Sequence, residues 1–255
     1  MESVQANVRV AQTTTGTAGV ETNDMAATGT KGGHQYVQPW HSKHYEAALQ
    51  GRYFVGRNAT LATGIASHTA PDLADNTKAM LIFRNIYSAS SGKIIIPDYI
   101  RLTVTAAGGS DQTAIGFKVA VEPGATGSRY TSGGTNYTGS TFKCPYSENS
   151  TVPEVLCDVG VLLTTAESSV TKYLHGHHAR EVDRVIGDNY IFTFGETMFQ
   201  QTSNVLAGTT QANIIMPCGP VALGPNASIL IHEKAPSQTT TGASYEWEMG
   251  FFLIG

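Results

Sequence analysis

The chain has 255 residues, of which 41% are hydrophobic and 14% charged, and a formal net charge of −4. That apolar content can fill a core and excludes a disordered chain, while the charged share lies well below the roughly 25% usual in globular proteins. Lys and Arg are scattered with no basic stripe, so no direct nucleic-acid ligand is expected, and no apolar run approaches the ~18 residues of a membrane span.

Residues 1–38, including "TTTGTAGVETNDMAATGTKGGHQ", are small, polar and Gly-rich. Such a segment is flexible alone and becomes ordered against a neighbouring subunit. It reads as an extended N-terminal arm ahead of one domain over residues 39–255. "KHYEAALQ" follows and predicts a helix of about two turns closed by Gly51. "RYFVGRN" predicts a short strand.

Strand signals then come in series. "AMLIFRNIYS" is β-branched and aromatic. In "GKIIIPDYIRLTVTAAG", Ile100, Leu102 and Val104 share one face and Arg101, Thr103 and Thr105 the other, with Pro97 marking a bend or edge. "AIGFKVAVEPG" sets Ile115, Phe117, Val119 and Val121 on one face. The "GGS" between these two runs predicts a hairpin. Residues 124–154 read as a long Gly/Ser/Thr loop carrying Tyr130, Tyr137 and Tyr146. "ESSVTKYLHG" predicts a weak helix. "EVDRVIGDNYIFTFG", "QANIIMPCG", "ASILIHEKA" and "ASYEWEMGFFLIG" are strand-like, and the apolar "FFLI" is expected to be a paired, buried strand rather than a tail. Gly and Thr are abundant and helix formers scarce. The class implied is all-β: a β-sandwich, of jelly-roll type, with one or two short helices.

The three cysteines, Cys144, Cys157 and Cys218, are too few and too widely spaced for a disulfide framework or a zinc knuckle. They read as buried thiols of a chain made in a reducing cytoplasm. "MESVQANVRVAQTTTG" lacks a basic start and an apolar stretch, so no signal peptide is expected.

The richest stretch for chemistry is "KYLHGHHAREVDR" (172–184). On a strand, His175 and His177 share a face and form half of a metal site. Glu181, Asp183 or histidines of symmetry mates would complete it. The reading favoured for "HGHH" is a solvated polar loop before the "EVDRVIG" strand, with a symmetric metal site as its alternative. His41, His44 and Glu46 make a second formal ligand set, on a poor rigid support. Glu246 and Glu248 could be a carboxylate pair, but their alternation with Tyr245, Trp247 and Met249 makes them outward charges. No nucleophile elbow, P-loop or dinucleotide fingerprint is present. Trp40, Tyr130, Tyr137 and Tyr146 are the candidate contact residues, since tyrosines among small polar residues make adaptable surfaces.

The Thr/Gly/Ala-rich arm, the low charge, "GKIIIPDYIRLTVTAAGG" and the terminal "YEWEMGFFLIG" together resemble structural proteins of tailed-bacteriophage virions. The likeness is to jelly-roll proteins that decorate or cement a capsid, or that build neck and tail parts. It implies a non-enzymatic virion component without cofactors, synthesised in the host cytoplasm. Its partners would be copies of itself, as a trimer or higher multimer, and other virion proteins. The His-x-His pair is similar to pairs that bind metal at the symmetry axis of some trimeric phage spikes. Two alternatives remain open: a host-receptor or carbohydrate-binding module using the tyrosine loop, and a cupin-like metal-dependent enzyme using His175, His177, Glu181 and His232.

Overall fold

The computed structural model describes residues 28–29, 35–36, 43–58, 60, 63–72, 75–109, 115–124, 129–166, 171–180, 183–195, 211–235 and 241–255. The chain divides into two compact units, residues 1–43 and 44–255. In the first, β1 (Thr28–Gly29) pairs antiparallel with β2 (Gln35–Tyr36). The rest of the expected arm lies outside the described residues.

The one α-helix among the described residues, α1 (Lys43–Leu49), is the predicted two-turn helix. Gly51, with φ +68°, ends it in the left-handed conformation that glycine adopts at little cost. The strands then run β3 (Tyr53–Arg57), β4 (Ile65–Ala66), β5 (Leu81–Asn85), β6 (Ile94–Ala106), β7 (Ile115–Glu122), β8 (Tyr130–Ser132) and β9 (Thr135–Thr138). They continue as β10 (Val155–Val159), β11 (Thr164–Thr165), β12 (Lys172–Arg180), β13 (Asn189–Phe194), β14 (Asn213–Cys218), β15 (Ser228–Lys234) and β16 (Ser244–Ile254).

Two large sheets form a sandwich. One has the order β14-β13-β6-β16-β3, with β4 also on β16; the other has the order β12-β7-β15-β5-β10-β9. All neighbours in them are antiparallel except β13 and β14. A small ribbon, β8 with β11, makes a separate pair. The fold is an all-β sandwich, as the composition and alternation imply.

Alternation decides what lies between the sheets. Ile100, Leu102 and Val104 of β6 face inward with Tyr245, Trp247, Met249 and Phe251 of β16 and Tyr190 and Phe192 of β13. From the other sheet come Leu81 and Phe83, Phe117 and Val119, Cys157, Ile229 and Ile231. Fully burying one such side chain is worth about 1.5–3 kcal/mol, so this core dominates stability. The terminal "FFLI" run is the paired end of β16, a central strand between β6 and β3. The three cysteines are free and buried.

Three expectations need correction. β6 and β7 do not form a hairpin: β6 pairs with β13 and β16, β7 with β12 and β15. Each has one apolar face, and the two faces meet across the core rather than side by side. The "KYLHGHH" stretch is neither helix nor polar loop: it lies in the nine-residue strand β12, held by its pairing with β7. The stretch 124–154 is not all loop, because it contains β8 and β9.

Pro97 sits inside β6 at a register shift: Phe251 pairs with Pro97 and Gly250 with Tyr99, leaving Asp98 as the extra residue. A bulge is where a central strand tolerates proline, and it re-aims the extra side chain. Asp98 accepts Tyr53 Oη at 2.9 Å and lies 2.8 Å from His44 Nε2. The bulge thus ties α1 to the sheet.

Candidate functional site

His175 and His177 lie on β12 opposite Val119 and Phe117 of β7, so both face the core side of the sheet. Their rings stack, with centroids 5.7 Å apart and planes 17° apart. His175 Nε2 accepts the backbone N–H of Gly219 at 2.7 Å. That bond joins β12 to the residue just after β14 and so links the two sheets at one edge. It also occupies the nitrogen lone pair that a metal would need there. His177 Nε2 is buried without a hydrogen-bond partner. Burial, and then the neighbouring His175, lower the His177 pKa below its ordinary value.

His232, proposed around this pair, does not join it. His232 pairs with Lys118, which pairs with Gly176, so His232 lies on the opposite face of the sheet from His175 and His177. Glu181 lies outside the described residues. The cupin-like ligand set is therefore not assembled. Among the described residues no group of three or more His, Cys, Asp or Glu is placed to hold a metal ion. In the second set, His44 and Glu46 are engaged with different partners. His44 is on Asp98, Glu46 Oε1 accepts Gln50 Nε2 at 3.3 Å, and His41 is outside the described residues. Burial raises the Cys157 thiol well above its ordinary pKa, which argues against a nucleophile there.

The core side of the sandwich holds a polar group that the sequence did not announce. Arg184 Nη2 donates to Glu233 Oε1, and Tyr245 Oη donates to the same oxygen at 2.6 Å. Arg184, Glu233 and Tyr245 are all buried. Burial pushes the Tyr245 phenol far above its ordinary range. Two more buried acids are paired on the outer face of the β5/β7/β15 sheet. Asp158 accepts from Arg84 and from Asn136 Nδ2, and Glu122 accepts from Arg129 Nε at 3.1 Å.

The tyrosines are divided between packing and exposure. Tyr130 lies half-buried under the Arg84 guanidinium, 4.4 Å from ring centre to Cζ, and donates to Gly133 O at 3.0 Å. Tyr137 is half-buried edge-on to Trp247, with centroids 4.9 Å apart. Both rings serve the chain's own packing. Tyr146 is 38% exposed. Trp40 lies outside the described residues.

The outer face of the β14-β13-β6-β16-β3 sheet carries a bonded polar lattice. Glu248 accepts Tyr99 Oη and Arg101 Nη2, each at 2.7 Å. Thr103 Oγ1 donates to Asn189 Oδ1 at 2.6 Å, and Asn189 Nδ2 donates to Asn213 Oδ1 at 2.8 Å. Arg57, Asn58, Arg101, Thr103, Glu246 and Glu248 line a shallow cavity of about 30 Å³. The face was legible from the alternation of Arg101, Thr103, Glu246 and Glu248. The lattice was not, because Tyr99, Asn189 and Asn213 reach it from a bulge and from strands distant in sequence.

Against protein-family models, curated proteins and solved structures, the chain has no match.

Proposed function

We propose that this chain is a non-enzymatic structural component of a phage virion, a decoration or minor capsid protein that acts by symmetric contacts between copies. The observation that carries the proposal is strand order. Numbering β3, β5, β6, β7, β12, β13, β15 and β16 from one to eight, one sheet contains the sequence 1-8-3-6 and the other 2-7-4-5. That order supports reading the sandwich as the two interlocked Greek keys of a jelly roll, an architecture common in viral capsid domains. The fold alone also hosts lectins and enzymes, so the site must decide between them. Tyr130 and Tyr137 are engaged in packing, which weakens a tyrosine platform for sugar. His232 faces away from His175 and His177, which weakens a cupin-like centre.

The test is native mass by size-exclusion chromatography with light scattering, run with and without EDTA. The expected result is a stable multimer indifferent to the chelator. A monomer at every concentration overturns the proposal. A multimer that dissociates in EDTA places metal at the interface instead.

A further inference from the structure

The two sheets differ in what lies on their outer faces. On the β5/β7/β15 sheet, Ile82, Ala120 and Leu230 are packed beneath Ala79, Leu163 and Tyr130. The Arg84–Asp158 and Arg129–Glu122 pairs are buried on the same side. The chain's own β8/β11 ribbon region covers the middle of that face, and the β12 edge leaves Tyr173 and Leu174 exposed.

The opposite outer face is different. Arg57, Glu248, Arg101 and Ile191 form one cross-strand row, and Glu246, Thr103, Asn189 and Asn213 the next. Ile191, Ile215 and Pro217 are only half-buried there. Arg101, Tyr99, Thr103 and Asn189 are fixed by the bonds described above, so little side-chain freedom would be lost on association. Arg57 is exposed and, among the described residues, makes no side-chain hydrogen bond or ion pair.

We infer that this face is the contact between two copies of the chain, with Arg57 of each copy opposite Glu246 of the other. The basis is self-complementary charge. Arg57 and Glu246 carry opposite signs on neighbouring strands of one face, and a two-fold axis through their midpoint in the interface plane sets each over the other. An isologous contact needs this property. The half-buried Ile191, Ile215 and Pro217 supply apolar area beside the charges, the mixed composition of a non-obligate interface. The inference deepens the assembly role proposed above and rests on it.

Native mass against concentration tests it with charge reversals. Arg57→Glu opposes Glu246 of the other copy, and Glu246→Arg opposes Arg57, so each variant alone should associate at least about tenfold more weakly than wild type. Mixing the two variants restores opposite charges at both contacts, as does the double substitution, and both should recover the wild-type mass. Raising salt should weaken the wild-type contact. Equal unfolding midpoints confirm that each variant is folded. If either reversal fails to fold, Thr103→Arg adds bulk and charge to the same face and should also dissociate the protein.

A wild-type chain that is monomeric throughout overturns the assembly role and this contact together. A wild-type multimer unmoved by the reversals overturns this contact alone and leaves the assembly role standing. Dissociation that neither the mixture nor the double substitution repairs overturns the Arg57–Glu246 pairing.

Discussion

Arg184 and Glu233 form an ion pair inside the sandwich, with relative side-chain exposures of 0% and 1%. Two charges out of water hold each other at a steep desolvation cost, and Tyr245 supplies one further hydrogen bond. Removing one partner strands the other. Arg184→Met or Glu233→Leu alone should therefore cost about 3–5 kcal/mol of stability. The triple change Arg184→Met, Glu233→Leu, Tyr245→Phe should recover most of that loss. Urea unfolding of all three variants checks this, and single variants as stable as wild type would sink it.

Gly56 of β3 offers a sharper packing test. A Cβ built there lies 2.2 Å from Phe142 Cδ1. Phe142 is fully buried against Phe83, Phe251 and Trp247, so it has little room to yield. Gly56→Ala should cost about 1–3 kcal/mol through overpacking. Adding Phe142→Leu should return part of it, and calorimetry of both variants would show whether the two changes couple.

His68 predicts an acid-side loss of stability. Burial lowers its pKa below the ordinary 6.5, against a weaker opposing effect of its bond to Ala79 O. The unfolded chain therefore binds the proton more tightly than the folded one. The stability from His68 is complete above about pH 6.5 and declines as the pH falls toward the folded value. His68→Gln should flatten the difference between urea midpoints at pH 7.5 and 5.5. An unchanged difference would assign the acid sensitivity elsewhere.

The thiols should be inert in the folded protein. Burial pushes Cys218 up to about 12, and Cys157 also rises well above its ordinary value. Thiol reagents act on the thiolate. Native protein at pH 8 should show neither residue labelled within minutes, while denatured protein should label all three cysteines. Mass spectrometry of labelled peptides reports each position separately, and rapid native labelling of Cys157 would contradict the packing.

The alternation in "YIRLTVT" and "YEWEM" revealed the inward and outward faces of β6 and β16 because each is a strand with one wet side. The pairing of those strands was not legible, since a period of two says which face is buried and not which sheet receives it. β12 was missed for a physical reason. Its exposed positions include Tyr173 and Leu174, while its inward positions include His175 and His177, so the usual pattern is inverted. Glu233 has the same difficulty. In "ILIHEK" it looks like an outward charge, and only Arg184, far away in sequence, makes its inward position tenable. The stacking of His175 on His177 followed from their spacing; the Gly219 N–H that engages His175 did not.

Leu253 N donates to Arg52 O at 2.7 Å, beside the β3–β16 pairing. These residues come from opposite ends of the sandwich-forming sequence. The sheet is therefore zipped shut by its most distant parts, and the large entropy of closing that loop falls due before the pairing repays it. Folding should be slow for the size of the domain. Until β16 arrives, β3 and β6 stand as open edges able to capture a strand from another molecule. In a crowded cell making many copies at once, the same openness that delays each chain favours mispairing between chains, so yield should depend on the rate of synthesis as well as on final stability.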